Sequence, residues 1–129
     1  MSARILIVDD EMPLAELLEQ ALQAEGWRTE RAADGMEAMN RVPAFRPDVV
    51  IMDIMMPRLD GVQAARLLRR NRAFGDTVII ALSARTDDAA REAMREAGAD
   101  LYMRKPFTVN RLVARIRQLL DARRAANRE

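Results

Sequence analysis

The chain has 129 residues, of which half are hydrophobic and 32% are charged, so its size and composition are typical of a single soluble globular domain. Its 21 basic and 20 acidic residues leave a net charge of +1, which excludes a strong overall field for nucleic acid or an anionic membrane. Cysteine and histidine are absent, which excludes disulfides, thiol catalysis and imidazole chemistry. No apolar run approaches the roughly 18 residues of a membrane helix, and no signal-peptide core starts the chain. The sequence therefore predicts a cytoplasmic protein.

Five short segments along the chain are predicted to be strands. Residues 5–8, 49–52 and 78–82 are continuous aliphatic runs without polar alternation, which is typical of strands buried on both faces of a parallel sheet. Residues 28–32 are polar and belong at a sheet edge, while residues 101–103 form a short, half-apolar strand. The three aliphatic runs are therefore expected at the centre of the sheet.

Each predicted strand is followed by a helical pattern in which apolar residues recur every three or four positions. Gly35, Gly61 and Gly75 fall between these patterns and are predicted to lie in turns. The order is strand then helix, five times over, which predicts a single (βα)5 domain of the α/β class. The apolar stripes are Leu14, Leu17, Leu18, Ala21 and Leu22; Ala38, Met39 and Val42; Ala64, Leu67 and Leu68; Ala90, Ala93, Met94 and Ala97; and Val109, Leu112, Val113 and Ile116.

Helix boundaries are marked by particular residues. Gly26 and Gly98 are placed where the first and fourth helices should stop. Asp60 and Thr108 are suited to cap the starts of the third and fifth helices. Pro43 lacks a backbone N–H and is expected to shorten or distort the second helix.

The residues that follow the predicted strands are unusually rich in chemical groups. Asp9 and Asp10 follow the first strand, Asp53 the third, Ser83 the fourth and Lys105 the fifth. Parallel strands joined by right-handed crossovers place all their carboxyl ends at one edge of the sheet, where ligands bind in such folds. We therefore expect three acids, one hydroxyl and one amine to converge there.

Three converging carboxylates repel one another unless a cation neutralises them. Mg²⁺ prefers oxygen ligands and is usually held by one or two carboxylates together with water and phosphate oxygens. The predicted metal ligands are Asp9, Asp10, Asp53 and the backbone carbonyl of Met55, with Mn²⁺ as an alternative ion.

An aspartate carboxylate can also act as a nucleophile towards phosphorus. The transition state of phosphoryl transfer spreads negative charge over oxygens, so catalysis consists mainly of positioning and cationic stabilisation. Asp53 is the predicted nucleophile, with Lys105 pairing with one phosphoryl oxygen and the Ser83 hydroxyl donating to another.

The motifs that carry these residues are specific. They are Asp9-Asp10, the run Asp53-Ile54-Met55-Met56-Pro57 with Asp60-Gly61 behind it, Ser83-Ala84, Gly98-Ala99-Asp100, Tyr102, and Lys105-Pro106-Phe107. On these residues the chain resembles the receiver domain of two-component response regulators over essentially its whole length. The resemblance implies a flavodoxin-like, doubly wound parallel sheet with strand order 2-1-3-4-5, in a domain covering residues 1–121. Residues 122–129 are then a charged tail or the start of a linker.

The resemblance also implies a role for each site residue. Phosphorylation would draw Ser83 towards the phosphoryl group and let Tyr102 turn inward, changing the face formed by the fourth helix, fifth strand and fifth helix. That face would control an output partner or domain, and the phosphoryl donor would be a histidine kinase, a phosphotransfer protein or a small acyl phosphate. The implied roles are metal pair for Asp9 and Asp10, phosphoacceptor for Asp53, switch hydroxyl for Ser83, switch aromatic for Tyr102, phosphoryl-binding lysine for Lys105, and a cis peptide bond before Pro106.

The residues that bear on dimerisation point in two directions. Residues 109–120 resemble receivers of winged-helix transcription factors, which commonly dimerise through charge pairs on the same face once phosphorylated. Arg91 and Arg115 match positions used there, but Leu101 and Arg111 replace acids of the usual pattern.

The basic cluster of Arg123, Arg124 and Arg128 is diluted by acids and is not followed by a helix-turn-helix motif. It predicts a solvated helix end and no direct contact with nucleic acid.

The two alternatives to a signalling switch are a phosphatase and a degenerate receiver. A phosphatase of the haloacid-dehalogenase type also uses an aspartate nucleophile, but it needs a second acid two residues later, where this chain has Met55. A degenerate receiver that only binds partners would lack reactive residues that are all present here. The resemblance instead implies a protein that catalyses only its own phosphorylation and slow dephosphorylation, not a turnover enzyme.

Overall fold

Strands and helices alternate along the chain in the computed structural model, which describes residues 2–56, 58–84 and 88–127. Pro57, the last residue of the run that begins at Asp53, and Arg128 and Glu129 of the predicted tail lie outside the described residues. Among the helices that are described, none is long and apolar enough to cross a membrane. The elements are β1 (Arg4–Val8), α1 (Met12–Ala24), β2 (Arg28–Ala32), α2 (Gly35–Phe45), β3 (Val49–Asp53), α3 (Gly61–Arg70), a 3-10 turn (Arg72–Phe74), β4 (Val78–Ser83), α4 (Asp88–Ala97), β5 (Leu101–Arg104) and α5 (Val109–Asn127).

The five strands form one parallel sheet in the order β2-β1-β3-β4-β5, which confirms the predicted flavodoxin-like fold. Every residue of β3 and β4 is buried, whereas β2 is largely half-buried at the edge. β3 and β4 each extend one residue further than predicted. Asp53 and Ser83 are therefore the last residues of strands, held by the sheet, and not the first residues of loops.

Two hydrophobic layers cover the sheet. One layer contains α2, α3 and α4, and the other contains α1 and α5. Strand side chains alternate between them: Leu6 and Val8 face the first layer, while Ile5 and Ile7 face the second. Burying one such aliphatic side chain contributes about 1.5–3 kcal/mol, so the sheet is a rigid support for the residues at its carboxyl edge.

The predicted helix boundaries are largely confirmed. Gly26 and Gly98 end α1 and α4 with φ values of 88° and 111°, in the left-handed region that favours glycine. Asp60 caps α3 by accepting from the Gln63 amide, and the Gln63 side chain accepts from the Asp60 amide in return. The Thr108 hydroxyl accepts a hydrogen bond at the start of α5.

Two glycines predicted in turns are instead the first residues of helices. A Cβ at Gly35, which starts α2, would lie 2.2 Å from the carbonyl oxygen of Leu59. A Cβ at Gly61, which starts α3, would lie 2.9 Å from the Cα of Ile54. Both positions require glycine because another part of the backbone approaches closely.

Two helices, α2 and α5, extend further along the chain than predicted. Pro43 does not end α2, which continues to Phe45; the proline lies in the last turn, where it removes only the hydrogen bond to the Met39 carbonyl. α5 runs to Asn127, so the described part of the predicted tail, residues 122–127, is helical. The domain boundary at residue 121 stays a prediction.

A partly buried arginine joins several elements at the amino edge of the sheet. The guanidinium of Arg69 donates to the carbonyl oxygens of Gly98 at 2.9 Å and Thr77 at 2.7 Å, and to Asp100 Oδ2 at 2.9 Å. The same carboxylate oxygen accepts from the Ile79 amide at 2.9 Å. Arg69 thus ties α3 to β4 and to the loop before β5.

Replacing Arg69 with Met is expected to lower the free energy of unfolding by about 2–4 kcal/mol, because several carbonyls and Asp100 lose their donor at a partly buried site. Urea unfolding followed by the fluorescence of Trp27, the single tryptophan, measures this change. Arg95→Met is the matched control; its ion pair with Glu92 is exposed, so this variant should lose much less stability than Arg69→Met. Equal losses for the two variants would contradict the prediction.

Candidate functional site

Three carboxylates meet at the carboxyl edge of the sheet, as the sequence predicts. Asp53 is the last residue of β3 and Asp9 directly follows β1, and both are buried. Asp10 is exposed at the rim. One oxygen from each of the three side chains lies within 4.8 Å of the others, so the group can hold a metal ion.

Lys105 places its ammonium group among these acids. Its Nζ donates to Asp53 Oδ2 at 2.9 Å and to Asp9 Oδ2 at 3.2 Å, and it lies 3.5 Å from Glu11 Oε1. The Lys105 amide also donates to the Ser83 carbonyl at 2.8 Å, which fixes the chain next to the end of β4. The Lys105–Pro106 peptide bond is cis.

Glu11 was not among the predicted site residues. The signal available in the sequence was its position directly after the acid pair Asp9 and Asp10. Its approach to Lys105 joins residues 94 positions apart, so local sequence reasoning could not identify it.

Lys105 and Asp9 both have shifted pKa values. Burial alone would lower the pKa of Lys105, but the hydrogen bond and charge of Asp53, together with Asp9, outweigh it and raise the pKa to about 12. Burial raises the pKa of Asp9, although the Glu11 amide and Lys105 both oppose that change. Lys105 is therefore a permanent cation at neutral pH, available to pair with an anion.

Backbone amides orient the two buried carboxylates in the same way. The Glu11 amide donates to Asp9 Oδ1 at 2.8 Å, and the Met55 amide donates to Asp53 Oδ1 at 3.0 Å. In each case the other oxygen, Oδ2, accepts a hydrogen bond from Lys105 Nζ. The two loops after β1 and β3 thus hold both carboxylates in fixed directions.

The donor set fits a hard divalent cation. The site contains four acids, counting Glu11, and one lysine, so its formal charge is a surplus of three negative charges. Carboxylate oxygens are the ligands that Mg²⁺ prefers, and a cation relieves the repulsion between them. The residues present are therefore suited to magnesium.

Ser83 and Tyr102 lie on the same face of the sheet. Ala81 pairs with Tyr102 in the register of β4 and β5, and Ser83, two residues after Ala81, shares its direction. Ser83 is fully buried, and the partly buried Tyr102 packs against the layer that contains α4. The guanidinium carbon of Arg91 on α4 lies 5.4 Å from the centre of the Tyr102 ring, which is cation–π distance.

Comparisons with known proteins agree with this geometry. The pattern of the response regulator receiver domain matches residues 5–117. Response regulator MprA of Mycobacterium bovis is 45% identical over 121 residues, covering 93% of this chain and 51% of that protein. A crystal structure of a putative response regulator from Chloroflexus aurantiacus superposes with a TM-score of 0.88 at 36% identity, covering 94% of this chain and 99% of that one. Chemotaxis response regulator CheY4 of Vibrio cholerae superposes with a TM-score of 0.87 at 28% identity, covering 92% and 99%.

The fold and its edge site define a parallel α/β protein in which two further aspartates and one lysine lie around the Asp53 carboxylate. The chain belongs to the response regulator receiver domain family of two-component signalling. It spans about half the length of the curated relatives that it matches.

Proposed function

We propose that this domain is a signalling switch that accepts a phosphoryl group on Asp53. The observation that carries the proposal is the convergence of Asp53 with Asp9, Asp10 and Lys105 at the carboxyl edge of the sheet. A carboxylate oxygen of Asp53 attacks phosphorus, and the bond from phosphorus to the donor breaks with its electron pair leaving on the donor. Lys105, already 2.9 Å from Asp53, pairs with a phosphoryl oxygen, and Ser83 donates to another.

Metal binding is assigned to Asp9, Asp10, Asp53 and the Met55 carbonyl, with Mg²⁺ or Mn²⁺ as the ion. When bound, the ion offsets the charge of the carboxylates and of the phosphoryl oxygens. The amides of Glu11 and Met55 keep Asp9 and Asp53 oriented for this role.

A long-lived phosphoaspartate distinguishes this switch from a phosphatase. The position where a phosphatase needs its second acid carries Met55, whose exposed side chain cannot transfer a proton. The protein incubated with a small acyl phosphate should therefore gain one stable phosphoryl group, on Asp53, as measured by its intact mass. Rapid multiple turnover would favour a phosphatase, and no incorporation would favour a domain that only binds partners.

The remaining partners are proposed from the family. This domain works in the cytoplasm, where a histidine kinase or phosphotransfer protein supplies the phosphoryl group. An output partner or domain reads the result, since curated relatives are about twice as long. Contact with nucleic acid is not proposed for this domain, because Arg123 donates to Asp100 and has a structural partner.

The output face is proposed to be the surface of α4, β5 and α5. Arg91 and Arg115, which match dimer positions, each have a local partner: the Tyr102 ring and the Gln118 side chain. Leu101 packs against the layer of α1 and α5. A phosphorylation-dependent homodimer stays a prediction.

Phosphorylation is expected to require Mg²⁺ or Mn²⁺ and to stop in excess chelator, because the carboxylates need a cation before a phosphate donor can approach. Asp10→Asn should weaken Mg²⁺ binding at least about tenfold, measured by calorimetry on the unphosphorylated protein. Asp76→Asn, which removes an equal charge before β4 at the amino edge, should leave binding unchanged. Undiminished phosphorylation in chelator would contradict the metal assignment.

A further inference from the structure

The segment that follows Asp53 is closed tightly on itself. We call residues 54–60 the acceptor loop; residue 57 lies outside the described part of the chain. The amides of Met56 and Gly61 both donate to the Ile54 carbonyl, at 3.2 and 3.1 Å. A side chain at Gly61 would come within 3.0 Å of the Asp53 carbonyl oxygen, so α3 begins directly against the acceptor backbone.

Arg58 in this loop has an unusual backbone conformation. Its φ of 66° lies in the left-handed region, which is costly for any residue with a Cβ and is normally taken by glycine. Its guanidinium donates from Nε at 2.9 Å and from Nη2 at 2.5 Å to Oδ2 of Asp34. The residue with the unfavourable backbone conformation, Arg58, is therefore also paired with a buried carboxylate, that of Asp34.

Asp34 connects that ion pair to a second element. Its other oxygen, Oδ1, accepts from the Glu37 amide at 2.9 Å and caps the start of α2. The next residue, Gly35, approaches the Leu59 carbonyl so closely that no Cβ fits between them. The acceptor loop is thus fastened to α2 by charge through Arg58 and by backbone contact through Leu59.

We propose that Arg58, acting through Asp34, is a positioning residue for the phosphoryl-transfer site. The fastened loop carries Met55, three residues before Arg58, and the Met55 amide orients Asp53 Oδ1 at 3.0 Å. The same peptide segment supplies the carbonyl assigned to the metal. Fixing the loop at Arg58 therefore fixes the acceptor carboxylate and the metal ligands together, and this inference rests on the function proposed above.

The variant Arg58→Gly tests the inference, because glycine accepts the left-handed backbone and only the guanidinium is lost. Loss of the support behind metal ligands typically weakens metal binding 10- to 100-fold, so we expect Mg²⁺ affinity to fall at least about tenfold. In the metal-free protein the Met55 amide should exchange with solvent faster than in the wild type. Asp34→Asn, which retains a capping oxygen but no charge, should give the same changes. Combining it with Arg58→Gly should cause no further loss of Mg²⁺ affinity, because both substitutions remove the same ion pair.

Arg46→Gly is the matched control. Arg46 is the other described non-glycine residue with positive φ, at 51°, and its guanidinium lies over the Phe74 ring at the opposite end of α2. This variant should keep wild-type Mg²⁺ affinity and Met55 exchange.

A merely structural role for Arg58 would change unfolding, measured through Trp27 fluorescence, without changing either readout at the site. Wild-type Mg²⁺ affinity and unchanged Met55 exchange in Arg58→Gly would overturn the inference. The exchange measurement needs no metal, so it tests Arg58 even if the wild-type protein fails to bind Mg²⁺ or to accept a phosphoryl group. Failure of the proposed function and failure of this inference are therefore distinguishable.

Discussion

Asp53→Asn is expected to abolish phosphorylation by acetyl phosphate or by a histidine kinase. The substitution keeps the size of the side chain but replaces the nucleophilic carboxylate with a neutral amide, which is a poor nucleophile. Intact-mass measurement after incubation with acetyl phosphate and Mg²⁺ should find no added phosphoryl group.

Asp60→Asn is the matched control for that result. Asp60 lies seven residues further along and caps α3, and asparagine caps a helix about as well as aspartate. This variant should be labelled like the wild type, which shows that loss of an acid near the site is not sufficient. One phosphoryl group at normal yield in Asp53→Asn would mean that a different residue is the acceptor.

Much of the fold follows from local sequence patterns. The aliphatic run at residues 49–52 has no polar alternation, which is typical of a strand that is covered on both faces at the centre of a parallel sheet. Once the strands are central and parallel, their carboxyl ends must share an edge. The meeting of Asp9, Asp10, Asp53 and Lys105 was therefore predictable, although they lie far apart in the chain.

Other features depend on contacts that no local pattern records. The sequence pattern predicts a turn at Gly35, but the structure shows that glycine is needed there because the carbonyl of Leu59, 24 positions later, approaches it closely. Arg69 lies on an amphipathic helix, where a charged residue is normally exposed to solvent. Its guanidinium nevertheless donates hydrogen bonds to Thr77, Gly98 and Asp100. Charged residues reach such roles because long side chains can extend from a helix surface to distant backbone carbonyls.

The response to phosphorylation is expected to pass from Ser83 to Tyr102. A phosphoryl group on Asp53 carries between one and two negative charges and three acceptor oxygens, so the Ser83 hydroxyl should move towards it and draw the segment after β4 with it. Ser83 and Tyr102 are on the face of the sheet covered by α4, so this displacement opens space beside the Tyr102 ring. Tyr102 should then turn inward. The environment of Arg91, whose guanidinium carbon lies 5.4 Å from the centre of the Tyr102 ring, should change on the output face.

The chain contains one tyrosine, so 3-fluorotyrosine gives a single ¹⁹F resonance that reports on Tyr102. Adding beryllofluoride, which mimics the phosphoryl group, should shift that resonance in the wild type, while the fluoride signals of the bound mimic report occupancy of Asp53. Ser83→Ala should bind the mimic yet leave the Tyr102 resonance near its starting position, since the hydroxyl that links the two is gone. Ser2→Ala, which removes an exposed hydroxyl before β1, should respond like the wild type.

Phosphorylation can only favour one of two packings that the protein already samples, so the size of the shift measures how far the equilibrium moves. If the mimic occupies Asp53 and the wild-type Tyr102 resonance does not change, the route from Ser83 to Tyr102 is refuted. If Ser83→Ala responds as fully as the wild type, the hydroxyl is not the link, and the lysine that contacts Asp53 becomes the remaining connection between the phosphoryl group and β5.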